Sequence, residues 1–468
     1  MERRPHVVAI AFPAQGHVGP LLKLSCRIAR HGVRVTFVST ESVHARMLGA
    51  ASGDGDRDRD GIERATVPEG MEEVKDMGDR EEVAETRARV MSRHFEELLR
   101  KMNSSSRNDE RVDCVVADAT IGWAFEVAES LGIKRAMFWP TAPPGLVLSL
   151  SIPRLIEAGV IDDCGSALKD AAIWLSPELP ALKTTDLIWR CPGDRTRQAI
   201  IFRHCMSVNR TVRISNWVLC NSFYELDRVT CSLIPELLPV GPLTSADRCG
   251  SFWAEDLTCL NWLDQQPPKS VVYVAFGSIT VFSRNQFDEL ALGLELSWRP
   301  FLWVVRPGFT NEDEIRYPDG FLERVSGRGK IVSWAPQEKV LAHPSVCCFV
   351  THCGWNSTME GIASGVPFLC WPYFADQFYV RSYVCDMLKA GLDLEAAEEA
   401  EAAAVIPRHR IQARLEQLLS DARIKENAER LRGMVERSVA EGGSSSVNVH
   451  RFVEQLKHCC SEAIHRRD

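Results

Sequence analysis

Two residues in the first half of the chain have side chains suited to proton transfer. His17 lies in the turn PAQGH, residues 13–17, after an apolar run at residues 6–12 that predicts a strand. Because the ordinary pKa of histidine is about 6.5, its imidazole can accept a proton near neutral pH. Asp118 follows a second predicted strand, residues 112–117. We therefore predict that both side chains emerge at one edge of a parallel sheet, where ligands bind in α/β folds.

A second group of polar residues surrounds a strand, turn and helix predicted within residues 347–364. The N–H groups that open a helix, together with the helix dipole, attract phosphate, so Asn356 and Ser357 indicate an anion site. The hydroxyl of Ser278 and the ring of His352 could add further donors. Together these residues predict a diphosphate site that needs no metal.

Two βαβ patterns must position these groups. In the first, apolar residues at helical spacing follow the opening strand and lead into a second strand at residues 33–38. The other begins with a strand at residues 271–276, and its helix is introduced by Ser283 with Gln286 three residues later. That spacing is typical of a capping box. The alternation of strands and helices predicts an α/β fold with parallel sheets.

The length of 468 residues predicts two domains, because one hydrophobic core rarely supports so long a chain. Residues 244–256 are rich in turn formers and polar side chains, which indicates a linker. We therefore place one domain at residues 1–243 and the other at residues 257–445. Residues 446–468 carry apolar side chains at helical spacing and form a final helical segment.

Composition excludes several classes of protein. The formal net charge of −8 provides no basic field for nucleic acid. No run of about 18 apolar residues occurs, so we expect a cytoplasmic protein without a membrane span. The sixteen cysteines never form a CxxC pair, which favours reduced thiols over a metal site. Residues 52–61 and 395–404 read as solvated stretches, although the second, rich in Ala and Glu, could also be a helix.

The 44 residues from 334 to 377 contain WAPQ, HCGWNS, a glutamate and a final Asp-Gln pair at fixed spacing. This segment resembles the signature box of the plant family 1 UDP-dependent glycosyltransferases, the secondary-product glucosyltransferases. The PAQGH turn, the Val-Gly-Pro sequence at 240–242 and the Phe-Gly-Ser sequence at 276–278 also resemble that family. The resemblance therefore extends over nearly the whole chain.

The resemblance implies a GT-B fold, in which two Rossmann-like domains with parallel sheets face a central cleft. The N-terminal domain would bind the acceptor and the C-terminal domain the UDP-sugar, with the last helix packing back on the N-terminal domain. The implied activity is a metal-independent, inverting transfer of glucose from UDP-glucose, a co-substrate, to a small lipophilic acceptor. No other cofactor and no nucleic-acid partner is implied, and the oligomeric state is not readable.

The resemblance also implies a role for each matching residue of the donor site. The counterpart of Trp334 stacks on the uracil, and those of Gln337 and Glu360 bind the ribose. The residues implied to hold the phosphates are His352, Asn356 and Ser357. The residues implied to contact the sugar are Trp355, Asp376 and Gln377, the last being typical of glucose users. The complete donor-binding set is Ser278, Trp334, Ala335, Gln337, His352, Gly354, Trp355, Asn356, Ser357, Glu360, Asp376 and Gln377.

For the acceptor side, the resemblance makes His17 the general base and Asp118 the group that bonds its ring and stabilises the imidazolium. Thr141 is implied to touch the sugar and the acceptor. The acceptor itself is not encoded in a motif, and we expect it to be bound by residues 139–145 and by parts of residues 60–100 and 180–205.

Other interpretations remain open from the residues alone. Taken singly, His17 is a solvated side chain, Asp118 and Asn356 are helix caps, and Trp334 is a core aromatic. An NAD-dependent dehydrogenase is disfavoured because neither first turn reads GxGxxG. A Cys–His hydrolase built on His352 and its neighbour is disfavoured because adjacent residues at a helix entrance seldom face each other. A UDP-sugar-binding protein without transferase activity would not need His17 and Asp118.

Overall fold

The computed structural model describes residues 3–50, 61–104, 110–244, 255–312, 314–394 and 405–465. The chain divides into two compact units. The first comprises residues 1–176, 181–253 and 437–468, and the second comprises residues 177–180 and 254–436. Most of the predicted linker at 244–256 and of the stretch at 52–61, and all of the stretch at 395–404, lie outside the described residues.

The first unit contains a seven-stranded sheet. Its strands are β1 (His6–Ile10), β2 (Arg34–Thr40), β3 (Glu63–Val67), β4 (Cys114–Asp118), β5 (Lys134–Trp139), β8 (Trp217–Cys220) and β9 (Leu237–Pro239), and the short β6 (Ala172–Ile173) and β7 (Leu182–Lys183) pair with each other. The order in the sheet is β3-β2-β1-β4-β5-β8-β9, and all six pairings are parallel. The predicted parallel sheet is therefore confirmed for this unit.

The helices α1 to α7 of this unit are α1 (Gln15–Arg30), α2 (Glu41–Ala50), α3 (Arg80–Ser104), α4 (Gly122–Ser130), α5 (Pro143–Glu157), α6 (Arg195–Ile214) and α7 (Arg228–Leu233). Successive side chains of a strand point to opposite faces of the sheet. In β1, Val7 and Ala9 belong to one buried cluster and Val8 and Ile10 to another. Because both faces are covered, β1 is apolar throughout, which explains its continuous hydrophobic run.

The second unit contains a six-stranded sheet, again entirely parallel. Its strands are β10 (Val271–Ala275), β11 (Phe301–Val304), β12 (Gly329–Val332), β13 (Val346–Thr351), β14 (Phe368–Cys370) and β15 (Gly391–Asp393), in the order β12-β11-β10-β13-β14-β15. Its helices are α8 (Thr258–Leu263), α9 (Arg284–Leu296), α10 (Phe321–Val325), α11 (Gln337–Leu341), α12 (Trp355–Ser364), α13 (Gln377–Ser382), α14 (Arg408–Ser420) and α15 (Ala422–Val439).

The start of α9 differs in one respect from a capping box. Ser283 is the N-cap, and its hydroxyl accepts a hydrogen bond from the Gln286 N–H at 3.3 Å. The Gln286 side chain does not reach back to Ser283. It donates to the Ile406 carbonyl at 3.1 Å and accepts from the Ile406 N–H at 2.7 Å. Gln286 therefore ties α9 to the segment before α14, a long-range partner that local spacing cannot reveal.

The last helix, α16 (Ser444–His465), belongs to the first unit. Phe452 packs edge-on against Trp217 of β8, with ring centroids 5.2 Å apart. The Trp217 indole donates to Gln455 at 2.7 Å, and Asn448 donates to the Pro239 carbonyl at 2.9 Å. Helix α16 thus completes one face of the first sheet.

Two further predictions concern membranes and cysteines. Among the described residues, no helix combines the length and the apolar character that crossing a membrane requires. Fourteen cysteines in the described part of the chain are free thiols. Cys26 is disulfide-bonded, so the expectation of reduced cysteines is wrong at that position.

Candidate active site

His17 and Asp118 are brought together in the first unit. Nδ1 of His17 lies 2.8 Å from Oδ2 of Asp118. Asp118 ends β4, whereas His17 lies in the first turn of α1, because the helix begins at Gln15 rather than after the predicted turn. The carboxylate is fully buried and the imidazole is 23% exposed. The pair therefore presents a partly accessible imidazole backed by a carboxylate that water cannot reach.

The strand order explains the position of this pair. β1 and β4 are neighbours, and the chain moves outward from β1 toward β3 on one side and from β4 toward β9 on the other. Ligands of open α/β sheets bind beyond the carboxyl ends of the strands where the order reverses in this way. His17 and Asp118 follow the two strands that flank that point.

Neighbouring groups also contact this pair. The second carboxylate oxygen of Asp118 accepts the Thr120 N–H at 2.8 Å. The Asp118 carboxylate thus binds both the following turn and the imidazole, and it is not simply a helix cap. Phe12 packs edge-on against His17 at 5.3 Å between centroids. Thr141 follows β5, the neighbour of β4, at the same end of the sheet.

His204 is a functional candidate that sequence reasoning did not single out. It lies on α6, and burial lowers its pKa, as do the charges of Arg203 and His17, while Asp118 raises it. Both members of the pair therefore contribute to the electrostatic environment of His204. Residue 204 falls within the stretch 180–205 expected to bind the acceptor, but no motif marks it.

In the second unit, the predicted donor residues follow four strands of one sheet. Ser278 follows β10, Trp334 follows β12, His352 follows β13, and Gln377 follows β14. The order of this sheet reverses between β10 and β13, so the turn with Ser278 and the start of α12 flank the reversal. Ser278 and His352 were predicted as phosphate donors from their positions after strands, whereas Trp334 and Gln377 were assigned from the resemblance. The parallel sheet gathers the ends of all four strands along one edge.

Gln337, Ser357 and Glu360 form a connected polar group. The Gln337 amide donates to the Ser357 hydroxyl at 2.8 Å and to the Glu360 carboxylate at 2.7 Å. Its carbonyl oxygen accepts from the Tyr273 hydroxyl at 3.2 Å. Tyr273 is fully buried in β10, so a rigid strand holds the amide from behind. The structure therefore joins α11 and α12 through residues that were predicted to share a ligand.

Trp334 and Ala335 lie between β12 and α11. The Trp334 side chain is half-buried, and its carbonyl accepts the Asp256 N–H at 3.1 Å. Ala335 is buried, at 4% exposure. The indole thus keeps an accessible surface of the kind that stacking on a base requires, unlike a tryptophan enclosed in a core.

Helix α12 begins one residue earlier than predicted. Gly354 is the N-cap, and the first intrahelical bond runs from Thr358 N to Gly354 O at 2.9 Å. Asn356 is therefore a first-turn residue, and the interpretation of Asn356 as the helix N-cap is wrong. The amides of Asn356 and Ser357 point along the axis toward the N-terminal end, where the helix dipole attracts an anion.

His352 sits in a narrow slot between two glycines. A Cβ added at Gly277 would lie 2.6 Å from its Nε2, and one added at Gly354 would lie 2.5 Å away. Burial lowers the pKa of His352 to about 4, although interaction with the Ala275 backbone raises it. The residue as a whole is half-buried, but Nδ1 is shielded from solvent and makes no hydrogen bond of good geometry among the described residues. It is consequently uncharged at neutral pH.

Asp376 and Gln377 begin α13. Asp376 occupies the N-cap but makes no capping hydrogen bond, so capping does not explain its side chain. The Gln377 carbonyl oxygen accepts the N–H groups of Tyr373 and Phe374 at 2.9 and 2.8 Å. The amide –NH₂ is therefore the part of Gln377 directed at other partners. Both residues are buried to the same degree, at 8% exposure.

Trp355 is placed differently from the other predicted sugar contacts. Its ring is buried, at 3% exposure, and lies 6.3 Å from the Tyr383 ring. Its side chain is thus part of the core of the second unit, and its backbone amide in the first turn of α12 is the group that faces the helix entrance.

Metal-binding groups are sparse in the described part of the chain. The cluster with ligand atoms close enough to share an ion consists of Asp162, Asp163 and Cys164. Asp162 already accepts the N–H groups of Cys164 and Ser166, which makes it the anchor of an exposed turn. None of the predicted donor or acceptor residues belongs to this cluster.

Comparison with known proteins identifies the family. Residues 213–437 match the family model "UDP-glucoronosyl and UDP-glucosyl transferase", and residues 5–53 match "Glycosyltransferase, N-terminal domain". The chain is 39% identical to UDP-glycosyltransferase 83A1 of Arabidopsis thaliana over 97% of both chains. It is 33% identical to gallate 1-beta-glucosyltransferase 84A24 of Punica granatum, over 97% of this chain and 89% of that protein.

A solved structure agrees with this assignment. Phytolacca americana UGT2, complexed with UDP-2fluoro-glucose and pterostilbene, matches 97% of this chain and all of its own with a TM-score of 0.80 and 25% identity. The predicted GT-B class of α/β fold is thereby confirmed, and a UDP-sugar is the donor substrate of the family. The chain therefore belongs to the plant UDP-glycosyltransferases and is an enzyme that transfers a sugar from a UDP-sugar.

Proposed function

We propose that this enzyme transfers glucose from UDP-glucose to a hydroxyl or carboxyl group of a small lipophilic acceptor, with inversion at the anomeric carbon. The observation that carries the proposal is the 2.8 Å contact between His17 Nδ1 and Asp118 Oδ2 at the reversal point of the first sheet. A histidine oriented by a buried carboxylate is suited to general-base catalysis.

In the proposed mechanism, Asp118 accepts the Nδ1–H of His17, and this fixes the tautomer in which Nε2 carries the lone pair. Nε2 then removes the proton from the acceptor oxygen as that oxygen attacks C1 of the sugar. The bond from C1 to the UDP oxygen breaks in the same step, so the configuration at C1 inverts. The imidazolium that forms is stabilised by the Asp118 carboxylate, in which burial strengthens the electrostatic attraction.

The second unit is proposed to bind the donor. Trp334 stacks on the uracil, and Gln337 and Glu360 bind the ribose hydroxyls in place of part of their mutual hydrogen bonding. The amides that open α12 hold the diphosphate, with His352 beside them as an uncharged ring. The departing UDP gains negative charge, and the helix N-terminus stabilises that charge without any rearrangement.

Glucose is proposed as the sugar on two grounds. The Gln377 carbonyl oxygen accepts two N–H groups of the preceding loop, and this orients its –NH₂ group to donate to a sugar hydroxyl. In addition, a relative is named as a gallate glucosyltransferase, and a solved neighbour binds UDP-2fluoro-glucose. Residues 1–243 are proposed as the acceptor-binding domain and residues 257–445 as the donor-binding domain.

The acceptor is proposed to lie on the first unit beside His17. Phe12 contributes an aromatic edge there, and the buried ring of Trp139 lies at the end of β5. This end of the sheet therefore suits a flat apolar molecule. The solved neighbour is complexed with pterostilbene, and the Punica granatum relative is named for gallate.

An assay of UDP release with a library of phenols, alcohols and carboxylic acids tests the proposal. We expect UDP-glucose to be consumed only when an acceptor is present, with a product that is heavier than the acceptor by one hexose residue. Proton NMR of the product should show the β-anomer from the α-configured donor. A protein that binds UDP-glucose but never transfers glucose would contradict the proposed reaction, and an α-anomer would contradict the inversion.

A further inference from the structure

The turn that carries Ser278 is held by an arginine from a neighbouring loop of the second unit. Arg306, just beyond β11, donates from Nε to the Gly277 carbonyl at 3.2 Å and from a terminal nitrogen to the Thr280 carbonyl at 2.5 Å. Its other terminal nitrogen donates to the carbonyls of Pro307 and Gly308 at 3.1 and 3.0 Å. One guanidinium thus joins four carbonyls from two loops.

These bonds use the arginine in an unusual way. Among the described residues Arg306 takes part in no ion pair with a carboxylate. Burial lowers the pKa of its guanidinium, and the electrostatic effect of Tyr373 opposes that shift. A half-buried guanidinium is costly unless its donors are satisfied, and here backbone carbonyls satisfy them. The fork geometry, rather than pairing with an acid, accounts for this arginine.

The bond to the Gly277 carbonyl determines where the next amide points. The Gly277 carbonyl and the Ser278 N–H belong to one planar trans peptide unit, so they point in opposite directions. Because Arg306 holds the carbonyl on one side, the Ser278 N–H is directed to the other. Gly277 also lies against Nε2 of His352, the same ring that Gly354 contacts at the start of α12. The turn and the helix entrance therefore border one imidazole.

We propose that Arg306 is a positioning residue for the donor diphosphate, which fixes the Gly277–Thr280 turn so that the Ser278 amide and hydroxyl face the phosphates. The inference rests on the proposed assignment of Ser278 to the donor site. Arg306 touches neither the sugar nor the acceptor in this account, and it acts only through the turn.

The turn has a second support, so we expect the fold to survive removal of the guanidinium. Phe276 and Phe282, at the two ends of the turn, pack together at 4.8 Å between centroids, and both pack against Trp371. The Phe282 N–H also donates to the Phe309 carbonyl at 2.9 Å. Arg306 variants should therefore fold and displace only the residues between these anchors.

The test compares UDP with uridine, which lacks the phosphates. Arg306→Lys and Arg306→Met should each weaken UDP binding about tenfold in isothermal titration, because one to two hydrogen bonds to the turn are worth about that much. Uridine binding should stay within about twofold of the wild type, as the uracil and ribose contacts are untouched. In the transfer assay, KM for the UDP-sugar should rise about tenfold while KM for the acceptor stays unchanged.

Arg324→Met is the matched control, since Arg324 also donates to a carbonyl of this unit, that of Asp319, but pairs with Glu295. It should bind UDP as the wild type does. The proposal is overturned if Arg306→Met keeps UDP affinity within about twofold, if uridine and UDP weaken equally, or if Arg306→Lys restores full affinity.

A double-variant comparison separates Arg306 from the assignment on which it depends. If the arginine acts through the turn, Ser278→Ala should weaken UDP binding less in the Arg306→Met background than in the wild type. If the double variant loses UDP affinity by the product of the two single losses, the two residues are not coupled and the proposal is overturned. A Ser278→Ala protein that binds UDP like the wild type would instead refute the Ser278 assignment. If the wild type binds UDP but does not transfer glucose, the proposed function is contradicted. The effect of the Arg306 variants on UDP binding can still be interpreted in that case.

Discussion

The Asp118 carboxylate divides its two oxygens between the His17 ring and the Thr120 N–H, each at 2.8 Å. One oxygen of the carboxylate is therefore anchored by the turn that follows β4, and the other is left to the histidine. A carboxylate fixed in this way holds the imidazole in one tautomer, so changes at either residue should alter the rate of transfer more than the binding of the donor.

Substitution of His17 should remove the general base. We expect His17→Ala to lower kcat about 10²- to 10⁴-fold at saturating donor, the usual contribution of a general base, with KM for the UDP-sugar little changed. Steady-state kinetics with an O-linked acceptor provide the measurement. His343→Ala is the control, because His343 also contacts an aspartate, Asp264, at 3.1 Å, but outside the proposed site. Near-wild-type turnover of His17→Ala would remove the base assignment.

The two substitutions of Asp118 should differ from each other. Asp118→Ala leaves His17 free to adopt either tautomer, so we expect a smaller loss in kcat than for His17→Ala. Asp118→Asn places an amide that can donate to Nδ1, which puts the proton on Nε2 and blocks its action as a base. The Asn variant should therefore be the slower of the two. Equal rates would show that Asp118 does not control the tautomer.

The role of Gln377 can be tested without disturbing its loop. Gln377→Glu keeps an oxygen for the N–H groups of Tyr373 and Phe374 but removes the –NH₂ donor. We expect kcat/KM for UDP-glucose to fall about tenfold or more, as for the loss of a polar contact to a substrate hydroxyl, with Tm nearly unchanged. Gln377→His should lower the ratio of kcat/KM for UDP-glucose to that for UDP-galactose. If that ratio does not move, residue 377 does not select the sugar.

The low pKa of His352 predicts a dependence of stability on pH. The folded state binds the proton with a pKa of about 4, and the unfolded chain with the ordinary value of 6.5, so acid favours unfolding. This contribution is complete above pH 6.5 and is lost as the pH falls toward 4. At pH 5 the loss should be about 1–2 kcal/mol.

The measurement is the change in Tm between pH 7 and pH 5. Because 1 kcal/mol corresponds to about 2–4 °C in units of this size, His352→Gln should show a fall in Tm about 3–6 °C smaller than that of the wild type. His6→Gln is a useful comparison, since burial also lowers the pKa of His6, in the other unit. An identical fall in His352→Gln and the wild type would mean that His352 titrates normally in the folded enzyme.

Sequence patterns predicted the parallel sheets and the placement of His17 and Asp118 at one sheet edge, because strands buried on both faces are continuously apolar and their carboxyl ends share one edge. The bond between the two side chains was implied only by the family resemblance. They did not predict that Gly354 would cap α12, since Asn356 is the stronger cap by type and only the backbone shows which residue leaves the helix. The Gln286 contact to Ile406 and the Arg306 contacts to Gly277 join segments 120 and 29 residues apart. Such contacts depend on tertiary packing and leave no local signal.

Helix α16 has a consequence for how the protein is made. Val449, Phe452 and Leu456 fill the core on one face of the first sheet, together with Leu21 and Phe37 from near the start of the chain. During synthesis the ribosome produces every residue of the second unit before it produces these. Until then, the first unit lacks α16 and one apolar face of its sheet stays uncovered. The second unit can therefore fold cotranslationally before the first unit is complete.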